Sequence, residues 1–218
     1  MDLPLFDDLN ENQKEIIDLP FDQSHVITGP PGSGKSVMAI YRAQAIQRRN
    51  TNARNTDQSK IIMSFIMYNK MLRLWTESAL NSGNIPSNRT YTYHSWFRKW
   101  FKNSYWCEVP LVSPHDKYNY DWGACTRIAG LSNDPPQKTD QLIIDEGQDL
   151  PNELWMFLAM ATRDTHITVF ADENQTITPE NSSIDEIINS TGITSRVALE
   201  INYRNTKNIA QFSGYFYN

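Results

Sequence analysis

Cysteine is scarce in this sequence: Cys107 and Cys125 are the two present among 218 residues. They cannot form the disulfide framework of a small secreted domain, and a reducing cytoplasm is the expected setting. Taken with His115, they lack the paired C-x-x-C spacing of a zinc site. Long apolar runs are missing, so no stretch is expected to cross a membrane. The opening residues, Met1 to Asp8, are acidic and lack the basic-then-apolar order of a secretion signal. Positive charge is also in short supply, with 20 Lys and Arg against 25 Asp and Glu, a net charge of −5. No global basic field therefore advertises a nucleic-acid partner, although a local basic groove is enough to neutralise phosphates. Internal repeats and low-complexity segments are absent. What remains is the composition of a soluble globular chain with one domain or a little more.

The stretch that organises the chain is Gly29-Pro30-Pro31-Gly32-Ser33-Gly34-Lys35-Ser36. It fits G-x-x-x-x-G-K-[ST], follows an apolar run at His25 to Thr28, and precedes a Gly- and Pro-free stretch from Lys35 to Arg48. Strand, loop and helix in that order are the context a phosphate-binding loop requires. Small residues let backbone N–H groups surround a polyphosphate, and the helix N-terminus adds its positive end. Lys35 would reach the β- and γ-phosphates of ATP, and the Ser36 hydroxyl would take a position on Mg²⁺.

Upstream, Asn10 is placed to cap a helix, with Gln13 three residues on as in a capping box. Gln13 reads equally as a cap partner or as an amide set against the edge of adenine. Lys60 to Phe65 predicts a strand and Asn69 to Leu80 a helix. Thr90 to Thr92 is a further strand, leading into a helix with Trp96, Phe97, Trp100, Phe101 and Tyr105 on one face and Arg98, Lys99 and Lys102 between them. Such a stripe packs a core, or sets aromatics and cations against a single strand. Residues 104–139, rich in proline, are expected to form a small irregular insertion or lid. Gln141 to Glu146 predicts a strand that carries two acids to the edge of a parallel sheet, where open α/β folds bind ligands. There Asp145 would hold Mg²⁺ and Glu146 would orient or deprotonate the attacking water. Pro151 to Ala161 reads as a helix with proline in its first turn. His166 to Ala171 is a strand delivering Asp172-Glu173-Asn174-Gln175 to the same edge, and Val197 to Ile201 is a last strand. The alternation predicts an α/β fold, a parallel sheet with helices on both faces.

In this order the stretches resemble the motifs of the UvrD/Rep/PcrA-like superfamily 1 DNA helicases over nearly the whole chain. Gln13 matches the Q motif, and Gly29 to Ser36 match motif I. Ser64-Phe65 with Tyr68-Asn69-Lys70 look like motif Ia, and Thr92-Tyr93-His94-Ser95 resemble the T-x-H-S segment. Asp145-Glu146-Gly147-Gln148-Asp149 are similar to motif II, with Gly147 in place of the usual alanine. Asp172 to Gln175 look like motif III, though Thr176 to Pro179 replace the aromatic and arginine that often follow. Asn202-Tyr203-Arg204 look like the N-Y-R of motif IV.

The resemblance implies a RecA-like P-loop ATPase that moves on single-stranded DNA. It implies that Gln148 and Gln175 sense the γ-phosphate, that Tyr203 stacks on adenine, and that Arg204 contacts the γ-phosphate. Phe65, His94 and Trp96 would contact single-stranded DNA. Residues 1–200 would form the first RecA-like domain and residues 201–218 the start of a second. The rest of that second half, with motifs V and VI, would have to come from a partner chain or a missing domain. A non-enzymatic nucleotide- or DNA-binding module acting with a partner is the alternative. A small-molecule kinase fits less well, because it leaves Gln148, Gln175 and Tyr203-Arg204 without a role.

Overall fold

The computed structural model describes residues 3–53, 61–68, 85, 89–132, 136–162, 164–172 and 181–200. The helix expected at Asn69 to Leu80, Gln175, and everything from Ile201 onward lie outside them.

Helix α1 (Glu11–Asp18) leads to β1 (His25–Thr28) and the long α2 (Lys35–Ala53). Strands β2 (Met63–Met67) and β3 (Thr90–Thr92) precede α3 (Tyr93–Tyr105) and α4 (Trp122–Leu131). Then follow β4 (Gln141–Asp145), α5 (Asn152–Ala161), β5 (His166–Ala171), α6 (Ile184–Thr191) and β6 (Ser195–Ala198). The six strands form one sheet in the order β3-β2-β4-β5-β1-β6, with every neighbouring pair parallel. All their C-terminal ends therefore open on one edge.

Strand limits follow from their partners. The β2 strand runs two residues past Phe65, to Met67, because Met67 pairs with Asp145 at the end of β4. The β6 strand begins at Ser195 rather than Val197 and closes at Ala198, matching the four residues of β1 from His25 to Thr28.

Successive residues of the buried strands feed opposite faces, as the pleat demands. Ile143 and Phe170 join α1 and α2 on one side, while Leu142, Ile144 and Val169 join α3, α4, α5 and α6 on the other. The α1 helix is anchored by Arg42 of α2, which is fully buried. Its guanidinium donates to the carbonyls of Leu19 (2.9 Å) and Pro20 (3.0 Å) just past α1, and to Thr168 Oγ1 (3.0 Å) in β5. A buried cation is tolerable there because its donors meet the carbonyls where α1 ends.

Two expectations are corrected. The expected irregularity of the proline-rich region is interrupted by α4, which Asp121 caps by accepting from Ala124 N (2.8 Å), and Tyr120 and Cys125 are buried in the main core. Pro151 stands at the cap of α5, just outside its first turn. Helix α6 goes beyond the sequence reading, though Ser183 and Glu186 form a capping box and Gly192 closes it at φ 69°.

Candidate nucleotide site

The sheet order sets the site. Strand β5 lies between β1 and β4, so Asp172, the first residue after β5, stands between the loop after β1 and the acids that end β4. The loop turns through Gly32 (φ 83°) and Gly34 (φ 92°), a region that glycine enters without penalty. Ser33 N donates to Pro30 O at 3.1 Å. The Ser33 hydroxyl is fully buried without a hydrogen-bond partner among the described residues. Buried hydroxyls normally find partners, so a cradle containing an unsatisfied one fits a loop shaped for a polar guest.

Lys35, 7% exposed, folds back over this loop. Its ammonium donates to Gly29 O (2.7 Å) and Pro30 O (3.1 Å), and pairs with Asp172 Oδ2 (3.1 Å), itself 1% exposed. The sequence reading assigns Asp172 no role of its own within the Asp172 to Gln175 stretch, yet it is the buried partner of Lys35. A buried acid is found beside a cation, and the nearest one supplied by the motifs is Lys35.

The Ser36 hydroxyl lies near enough to the Asp145 carboxylate to favour its ionised form, so the two expected Mg²⁺ ligands are neighbours. Burial pushes the Asp145 carboxyl up to about 7, with Glu146 adding to the rise. The Ser36 hydroxyl and the bond from Glu146 N (3.2 Å), together with the Lys35 charge, oppose it. A carboxylate so reluctant to ionise alone, beside a hydroxyl, is a donor set that a divalent cation satisfies. The residues present therefore fit Mg²⁺ with a polyphosphate.

Glu146 sits at φ 54°, ψ 49°, a left-handed conformation costly for a residue with a side chain. What holds it is Gln148, 1% exposed, whose amide spans two loops. Gln148 Nε2 donates to Glu146 Oε2 (2.8 Å), and its Oε1 accepts from Asp172 N (3.0 Å). Gly147 is required rather than incidental: a Cβ there would lie 2.4 Å from Val169 Cγ1. Glycine in place of the usual alanine is thus matched to Val169.

The capping reading of Gln13 is met. Its Oε1 accepts from Asn10 N (3.2 Å) and its own N–H donates to Asn10 Oδ1 (2.8 Å), closing the capping box. The Nε2 meanwhile faces the phosphate loop, 3.2 Å from where a Cβ on Gly34 would stand.

The three expected DNA contacts fare differently. Phe65 is fully buried in the α1/α2 core, and Trp96 is 3% exposed, stacked on Trp100 with centroids 5.6 Å apart. Neither ring offers a free face to a base, because in these strands and helices the large apolar side chains go to the core. His94 is half-buried, bonded through Nδ1 to Tyr120 Oη (2.9 Å) and lying 4.5 Å from the Tyr118 ring. Burial, with Arg98 nearby, lowers its pKa to about 4. Gln175, Tyr203 and Arg204 lie outside the described residues, so nothing here places them with Lys35 and Asp145.

Residues 13–180 match the AAA domain family. The chain belongs to it. Its fold is that of helicase motor domains. The Pif1 helicase from Candida albicans superposes with a TM-score of 0.56 at 13% identity, over 96% of this chain and 43% of that one. Unliganded Pif1 from Bacteroides sp gives 0.50 at 16% identity, over 96% and 45%. The Hef helicase domain of Pyrococcus furiosus gives 0.50 at 14%, over 92% and 39%. The chain thus spans less than half the length of each of these structures. Among curated proteins, none matches it. Among the described residues, no helix is long and apolar enough to cross a membrane.

Proposed function

We propose that this chain is the ATP-binding half of a superfamily 1 helicase motor, which binds Mg–ATP and hydrolyses it in step with movement on single-stranded DNA. The observation that carries this reading is the meeting of Lys35, the Ser36–Asp145 pair and the Glu146–Gln148 pair at the C-terminal ends of β1 and β4, the parallel strands on either side of β5. Lys35 binds the β- and γ-phosphates, and Ser36 and Asp145 hold Mg²⁺. The bound ion would supply charge neutralisation at the phosphate oxygens. Glu146, aimed by Gln148, orients the attacking water and takes its proton. Gln13 faces the adenine side of the loop.

The finer placement among UvrD/Rep/PcrA-like helicases rests on the D-E-x-Q-D and N-Y-R sequences. In that placement, residues 201–218 begin a second RecA-like domain in which Tyr203 and Arg204 reach the nucleotide, and Gln175 reports on the γ-phosphate. For single-stranded DNA, His94 is the remaining candidate of the three named from sequence. Two free cysteines support a cytoplasmic setting.

The test is nucleotide binding and turnover in the wild-type chain and in Lys35→Ala. Turnover should drop by about 10²- to 10³-fold, the usual scale for losing one transition-state donor. Equal turnover in the two proteins overturns the reading. Binding of single-stranded DNA over a salt series checks the second half of it: phosphate contacts give a linear log–log slope, and a flat line removes DNA as the track.

A further inference from the structure

Lys35 has a counter-ion within the protein itself. Asp172 Oδ2 lies 3.1 Å from its ammonium, and both side chains are buried, at 1% and 7% exposure. The Gly29 and Pro30 carbonyls complete the shell. A polyphosphate seated in the loop needs the same ammonium. It cannot take Lys35 without loosening this pair, and a buried carboxylate deprived of its cation is strongly unfavourable. We propose that Asp172 is a positioning residue which holds Lys35 back until phosphate displaces it, so that nucleotide binding is an exchange of counter-ions. The inference rests on the nucleotide-binding reading above.

The exchange has a built-in route outward. The backbone N–H of Asp172 donates to Gln148 Oε1, and Gln148 Nε2 donates to Glu146 Oε2. Release of the Asp172 carboxylate therefore acts on the amide that fixes Glu146. The residue expected to activate water is braced through the same side chain that registers the arrival of phosphate at Lys35. Two consequences follow. Asp172 lowers the affinity for nucleotide, because part of the binding free energy goes into breaking its ion pair. It also links affinity to turnover, because Gln148 is shared.

Asp172→Asn keeps the shape and the backbone N–H while removing the charge. ADP binding to the Asp172→Asn chain, measured by calorimetry, should be about tenfold tighter than to wild type, the equivalent of ~1.4 kcal/mol. The kcat should fall while KM for ATP also falls, a split that loss of folding alone does not produce. A second measurement needs no nucleotide. Urea midpoints of Lys35→Met, Asp172→Asn and the double variant should be non-additive, with the double variant more stable than Lys35→Met alone, since it no longer buries a carboxylate that has lost its Lys35 charge. Equal or weaker ADP affinity in Asp172→Asn, or additive midpoints, overturns the proposal. Failure of the wild-type chain to bind ADP at all would instead remove the functional reading beneath it, and the urea cycle would still judge the ion pair.

Discussion

Two regions of this domain bury unusual side chains, and they do so in opposite ways. On the α3 side, Phe97, Phe101, Tyr120, Trp122 and Phe157 meet edge to face or tilted, with neighbouring centroids 5.0–6.2 Å apart. Phe97, Phe101, Tyr120 and Phe157 are buried and the half-buried Trp122 packs against them, in the geometry that aromatic quadrupoles favour. At the C-terminal edge of the sheet, Lys35, Asp145, Gln148 and Asp172 are also buried, beside the half-buried Glu146, but their chemistry is unfinished. The Asp145 carboxyl is pushed up to about 7, Glu146 has a left-handed backbone, and Ser33 has a buried hydroxyl with no partner among the described residues. A stripe of aromatics can suggest a nucleic-acid surface in sequence as readily as a glycine-rich loop suggests phosphate. In the folded chain the two are told apart by residual demand, which the aromatic block has satisfied and the sheet edge has not.

The sharpest way to break that contrast is to open the aromatic block. Phe97→Ala removes a fully buried ring and should cost about 3–5 kcal/mol in urea unfolding. Nucleotide affinity per folded molecule should stay unchanged. If affinity falls in proportion to stability, the two regions are not separate. Lys35→Ala makes a different case: function is lost, and because Asp172 loses its buried counter-ion the stability also lost should be partly restored by adding Asp172→Asn.

Next in size is Gly147→Ala, where the new methyl meets Val169 Cγ1. A cost of about 1–3 kcal/mol is expected from overpacking. Adding Val169→Ala should give a double variant that loses less than the sum of the two single changes, because the overlap is then relieved. Additive losses would mean that Gly147 is needed for its backbone and not for the space.

The smallest effect is a pH dependence. His94 has a folded-state pKa near 4, below its ordinary 6.5, with Arg98 and Asp116 as the charged groups acting on it. The unfolded chain therefore binds the proton more readily, and stability present above pH 6.5 declines as the pH falls toward 4. Because His94 is only half-buried, the decline should be modest. Urea midpoints at pH 7 and pH 5 should differ less in His94→Gln than in wild type.

Much of the architecture is legible in the sequence because the strands are short apolar runs flanked by breakers, and helices alternate with them. The motif residues after β1 and β4 were found for the same reason: a parallel sheet sends the residues that follow its strands to one edge. Three features were hidden, each for a physical cause. The α4 and α6 helices are short, and only their caps at Asp121 and Ser183 announce them. Asp172 reads as a loop acid until β5 is seen to lie between β1 and β4. Phe65 and Trp96 were expected at a DNA surface because resemblance transfers residue types, whereas burial is decided by which side of the pleat or helix faces the core.

The end of β6 has one more bearing on the phosphate loop. Leu199 N donates to Thr28 O at 2.7 Å, and a Cβ on Gly29 would stand 2.9 Å from both Leu199 Cβ and Leu199 O. The first glycine of the loop is thus seated directly against Leu199, the residue just after β6. With no room for a side chain between them, any shift of the backbone at Leu199 is passed straight to the start of the loop.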